Sequence, residues 1–199
     1  MDFFHYEKNV KDIEYYEILE NLMERWEYET VEFKEAKSNY DTDKIGRYFS
    51  ALSNEANLKQ QQYGWLIFGV SERDKIKHVV GTAYKQGEQS LLEKFKYEIS
   101  RDITNGMTFY EIKEIFPIVN GKRLRVLMFK VPAAATGIPT DWRTNYYERS
   151  GESLVPLKQY KIDAIRSQER KDWSKQVIEV ATIDNLDKTA INLAREKYK

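Results

Sequence analysis

Hydrophobic residues recur at steps of three and four from Val10 to Trp26, where Ile13, Tyr16, Leu19, Met23 and Trp26 form one stripe with acidic residues between them. That spacing predicts an amphipathic helix whose stripe docks on another element. The period then shifts to two. Val31 and Phe33 alternate with Thr30, Glu32 and Lys34 over Glu29 to Lys34, as in a half-buried strand. Asp41, Thr42 and Asp43 are capping residues ahead of Ile45, Tyr48, Phe49 and Leu52, so a second helix is expected to run to about Asn57. Gly64 opens the unbroken apolar run Trp65 to Val70, which predicts a central strand buried on both faces.

A short apolar segment at Val79 and Val80 precedes a third helix over Glu88 to Ile103, with Leu91, Leu92, Phe95 and Ile99 as its stripe and Asn105-Gly106 as its stop. Apolar and polar residues then alternate on both sides of Asn120-Gly121, which predicts an antiparallel hairpin of residues 110–119 and 122–131 around a type I′ turn. A loop from Ala133 to Thr140 leads to a short strand at Tyr146 to Arg149 and to helices at Lys158 to Gln168 and Asn185 to Tyr198. Together these elements predict an α+β domain with a mixed, mostly antiparallel sheet and flanking helices. Its expected parts are an acidic helix over 1–26, a main domain over 27–157 and a helical extension over 158–199.

Charge changes this picture. The formal net charge is zero, yet residues 1–35 hold 11 acidic and 4 basic residues, so the rest of the chain is basic by the same excess. A basic body points to a polyanionic partner, and the acidic leader is either a docking helix that screens it or a solvated helix face. The absence of cysteine and of any apolar run of about 18 residues predicts a cytoplasmic protein without disulfides or a membrane span. His5 and His78 lie too far apart in the pattern for a zinc pair or a catalytic triad, and no phosphate-binding glycine loop is present. Lys122, Arg123 and Arg125 crowd one arm of the predicted hairpin, a ribbon suited to a phosphate backbone or a groove. Arg143 and Arg149 interleave with Trp142, Tyr146 and Tyr147, which suits stacking on unpaired bases.

Several segments carry a resemblance. Glu29-Thr30-Val31-Glu32-Phe33-Lys34-Glu35, Ser50-Ala51-Leu52-Ser53-Asn54-Glu55, Gly64 to Val70, Gly137-Ile138-Pro139-Thr140 and Tyr147 to Leu154 occur in the order found in the Schlafen/AlbA-like domains of bacterial regulators. The chain departs from that pattern where relatives carry paired glycines and it has Glu55 to Tyr63 before the single Gly64. The tail from Asp172-Trp173-Ser174 through Ala190 to Arg195 resembles the segment that joins such domains to a downstream region.

The resemblance implies a nucleic-acid-binding domain of a bacterial transcriptional regulator, with Lys34, Lys37 and Arg47 as further contacts and a possible homodimer. It also implies an alternative. In catalytically active relatives three carboxylates, here Glu27, Glu32 and Glu72 with Asp74 as a competitor, hold Mg²⁺ or Mn²⁺ for ribonuclease chemistry. A third reading is a protein-interaction or dimerisation module that uses the terminal helices.

Overall fold

The computed structural model describes residues 12–24, 29–73, 76–87, 89–151, 153–168 and 187–197. Trp26, Glu27, Asp74, Glu152, Asp172-Trp173-Ser174 and the side chains of Leu91 and Leu92 lie outside the described residues. The chain divides into two compact units, Met1–Glu169 and Arg170–Lys199. The described part of the second is one helix, Lys188–Lys197, none of whose residues is buried.

In chain order the first unit contains α1 (Ile13–Glu24), β1 (Val31–Lys34), α2 (Thr42–Leu58), β2 (Tyr63–Phe68), β3 (Val70–Arg73), β4 (Ile76–Val79) and α3 (Gln89–Arg101). It continues with β5 (Glu111–Ile115), β6 (Ile118–Val119), β7 (Lys122–Arg123), β8 (Val126–Pro132), β9 (Asp141–Trp142), β10 (Asn145–Ser150), β11 (Ser153–Pro156) and α4 (Gln159–Arg166). The main sheet has the order β1-β2-β8-β5. Only β1 and β2 run parallel, joined by α2 as such a pair requires, and the other ladders are antiparallel. The fold is the expected α+β.

The run in β2 is continuous because both of its faces are covered. Leu66 and Phe68 join Phe49 and Leu52 of α2 and Phe95 and Ile99 of α3 on one face, while Trp65 and Ile67 join Tyr16 and Leu19 of α1 on the other. The stripe of α1 therefore docks on the sheet of its own chain. Polar contacts fix it there: Asp12 pairs with Lys113 at 2.7 Å, the Tyr15 hydroxyl donates to Glu111, and the Phe116 N–H donates to the Tyr16 hydroxyl at 3.2 Å.

The Asn120-Gly121 hairpin keeps one register from tip to root, with Val119 opposite Lys122, Ile118 opposite Arg123, Ile115 opposite Val126 and Glu111 opposite Lys130. Asn120 (φ 51°) and Gly121 (φ 73°) supply the two left-handed residues a type I′ turn needs. A second hairpin, β3–β4, begins where Gly69 at φ 94° turns the chain out of β2. The sequence pattern had merged its first strand into the β2 run.

β9, β10 and β11 form a small sheet held against α2. Trp142 lies so close over α2 that a Cβ on Gly46 would sit 2.1 Å from its ring. Gly46→Ala should therefore lower stability by about 1–3 kcal/mol through overpacking, outweighing the roughly 1 kcal/mol that alanine gains in a helix. A urea midpoint at or above that of the native chain would contradict this packing.

Candidate nucleic-acid interface

The motif residues of α2 face inward. Asn54 accepts from the Thr140 N–H at 2.8 Å and donates to the carbonyls of Thr140 at 2.9 Å and Tyr147 at 3.3 Å. The Ser50 hydroxyl donates to the Thr140 carbonyl at 2.7 Å and accepts from the Tyr147 N–H at 3.1 Å, while the Ser53 and Thr140 hydroxyls lie 2.8 Å apart. These buried groups satisfy the backbone of the loop after Gly137 and of β10, which would otherwise be stranded away from water. Glu55 and Glu148 are also buried and share the Lys161 ammonium at 2.5 and 3.1 Å. Burial raises the Glu55 carboxyl above its ordinary range, with Lys161 opposing the shift.

Glu32, one of the three expected metal ligands, is 4% exposed and already charge-compensated. Its carboxylate meets the Arg149 Nε at 2.7 Å and the Lys34 ammonium. Arg149 in turn donates to the carbonyls of Val31 and, at 3.2 Å, Gly151. Glu72 lies exposed on β3, opposite Lys77 in the ladder, and Glu27 is outside the described residues. No cluster of three histidine or carboxylate side chains able to hold a metal occurs among the described residues. To ligate a divalent cation, Glu32 would have to exchange two cationic partners for the ion.

The eight basic residues expected at the interface divide by partner. Lys34 and Arg149 belong to Glu32, Lys37 lies 3.5 Å from Glu35, and Arg47 lies 2.6 Å from Asp43. Arg143 bridges Asp102 at 2.8 Å and Asp43 at 3.3 Å. Arg125 pairs with Glu114 at 2.5 Å and donates to the Tyr84 carbonyl at 2.8 Å. Arg125 and Arg149, expected at the surface, are 6% and 7% exposed and act as internal fastenings. Trp142 is likewise core, and its indole N–H donates to Asp43 at 2.8 Å. Half-buried Tyr147 packs against the main core, and Tyr146 packs against the cluster of α4.

Lys122 and Arg123 differ. Both are exposed beside the hairpin turn with no carboxylate partner among the described residues, and the Arg123 guanidinium stacks 4.6 Å over the Phe116 ring. Around them one end of the sheet collects further basic residues that the sequence pattern did not single out. The Gly81 N–H donates to the Gly69 carbonyl at 2.9 Å, the Thr82 N–H to the Arg125 carbonyl at 2.9 Å, and the Ala83 N–H to the Lys37 carbonyl at 2.6 Å. These bonds root residues 35–37, the β3–β4 ribbon, residues 80–85 and the β6–β7 ribbon together. They bring Lys37, Arg73, Lys77, Lys85, Lys122 and Arg123 to that end, where the described acids include Glu35, Glu72 and Asp41, the last lining a pocket with Lys85.

The family described as Schlafen, AlbA_2 matches residues 27–158. Among solved structures, the DIP2311 protein from Corynebacterium diphtheriae matches with a TM-score of 0.48 and 22% identity over 84% of this chain. The chain spans 29% of the length of that protein. No curated protein matches. No described helix is long and apolar enough to cross a membrane.

The pinning of Arg47 and Arg143 has a pH signature. The Trp142 indole and the two guanidiniums hold Asp43 below its ordinary value, and Arg101 and then Arg143 do the same for Asp102. Lowered carboxylate values add stability that is complete above the unfolded value of about 4 and is lost as pH falls through the folded values. Asp43→Asn should therefore flatten the acid limb of a stability–pH profile. An unchanged limb would mean that Asp43 is unpaired.

Proposed function

Because the chain belongs to the Schlafen AlbA_2 family, we propose that it binds nucleic acid as part of a bacterial regulatory protein, through the end of the sheet that carries the Asn120-Gly121 hairpin. The observation that carries this reading is the pair Lys122 and Arg123, exposed, adjacent and without carboxylate partners among the described residues. A cation already matched to a carboxylate gains little from a phosphate, whereas a free one neutralises it and releases counterions. Stacking on Phe116 restrains the Arg123 side chain while its N–H edge stays available, so less rotamer freedom is lost on binding.

The competing readings have less behind them. A metal-dependent nuclease would need a carboxylate cluster, and Glu32 is taken up by Arg149 and Lys34. An interaction module would be favoured by an exposed apolar stripe on α1, but Tyr16 and Leu19 are spent on the chain's own sheet.

Lys122→Glu with Arg123→Glu should weaken binding to DNA or RNA and reduce the slope of log affinity against log salt by roughly one to two, as expected for about two lost phosphate contacts. Arg143→Gln should leave both nearly unchanged, since Arg143 is held by Asp43 and Asp102. Equal losses in the two variants, read by fluorescence anisotropy at two salt concentrations, would move the interface away from the hairpin.

A further inference from the structure

The β3–β4 ribbon has two unlike faces. Its ladder sets Val70 opposite Val79, Ser71 opposite His78, Glu72 opposite Lys77 and Arg73 opposite Ile76. Directly opposed residues share a face and successive residues alternate, so Val70, Glu72, Lys77 and Val79 make one face, and Ser71, Arg73, Ile76 and His78 make the other. The first is anchored, with Val70 and Val79 in the core beneath α1. The second carries no acid among the described residues. Its Arg73, Ile76 and His78 are exposed, and among the described residues of the first unit Ile76 is the one large aliphatic residue that stands well clear of the surface, at 60% exposure.

This ribbon springs from the same root as the β6–β7 ribbon. Gly69, where β3 begins, would place a Cβ 2.8 Å from the Arg125 carbonyl, next to the base of the other hairpin. A backbone junction that tight holds both ribbons at one end of the sheet, with exposed Arg73 on one and exposed Lys122 and Arg123 on the other. Among the described residues the rings beside these cations, Phe116 and Phe33, are half-buried and covered by Arg123 and Lys77, and the exposed aromatic rings lie elsewhere. Tyr110 precedes β5 at the opposite end of the sheet, Tyr97 is on α3 and Tyr160 is on α4.

Proteins that hold unpaired strands offer aromatic platforms beside their basic residues, whereas ribbons that grip a duplex use basic side chains with an aliphatic wedge between base steps. Resting on the nucleic-acid reading above, we infer that the ligand is duplex DNA, that the β3–β4 ribbon is its second arm, and that Ile76 is the apolar contact with the groove while Arg73 contacts phosphate. His78, exposed on the same face, supplies a hydrogen-bonding group beside Ile76.

The test uses the full chain, a labelled DNA duplex of about two helical turns and each of its single strands. The native chain should bind the duplex more tightly than either strand. Ile76→Ser, at an exposed position, should keep the native melting temperature, weaken duplex binding roughly five- to tenfold, and leave the salt slope unchanged, because it removes apolar contact and no charge. Arg73→Gln should weaken binding and lower the slope by roughly one. Equal affinity for single strands, or Ile76→Ser binding the duplex like the native chain, would overturn the two-armed duplex grip while leaving the hairpin interface standing. Failure of the native chain to bind any DNA or RNA, single- or double-stranded, would remove both.

Discussion

A carboxylate buried in a sheet has to be neutralised where it stands, and at Glu32 this requirement ties the molecule together. Its partners come from β1 itself, through Lys34, and from β10 in the small sheet, through Arg149, which also donates to the Val31 carbonyl. Removing one partner of such a pair leaves an uncompensated buried charge at a cost of about 3–5 kcal/mol, so the three groups persist together. The Glu-Phe-Lys segment and the Tyr-Glu-Arg-Ser segment are thus two halves of one fastening. Charges that a motif reading assigns to a ligand are spent inside the protein.

The same economy extends through α2. Ser50, Ser53 and Asn54 bond the backbone of Thr140 and Tyr147, and Glu55 with Glu148 holds Lys161 of α4. A helix that would otherwise bury only apolar residues thereby fixes three later segments at one orientation, a specificity that apolar packing alone does not provide. With the small sheet and α4 held on this side and α1 covering the opposite face of the main sheet, one end of that sheet is left to its connections. The two hairpins and the loop after β1 meet there, and exposed Arg73, Lys122 and Arg123 lie on the hairpins. Binding chemistry falls to the parts of the fold that packing does not consume.

How far the sequence disclosed this depends on the range of each interaction. The Asn120-Gly121 hairpin was legible because turn chemistry and alternation are local, and its register also held the clue to Arg125. One pairing frame from Val119–Lys122 to Glu111–Lys130 puts Glu114 diagonally across from Arg125, so an ion pair could have been read there. The bond of Arg149 to Glu32 carries no such signal, since nothing local says which strands of the two sheets approach. The β3–β4 ribbon was hidden for a different reason: Gly69 divides an apolar run that reads as one strand, and only its positive φ reveals the turn. The resemblance identified the right segments but could not tell which charges point inward, because burial is decided by partners far away in sequence.

The motif charges point inward and the hairpin end faces outward, and amide NMR of the chain titrated with a short DNA duplex tests this division most directly. Perturbations should concentrate in residues 118–125, 70–73 and 76–79, with Val31 to Lys34 and Glu148 to Ser150 essentially unmoved. Perturbations centred on Glu32, Lys34 and Arg149, with the hairpin tips unaffected, would contradict it.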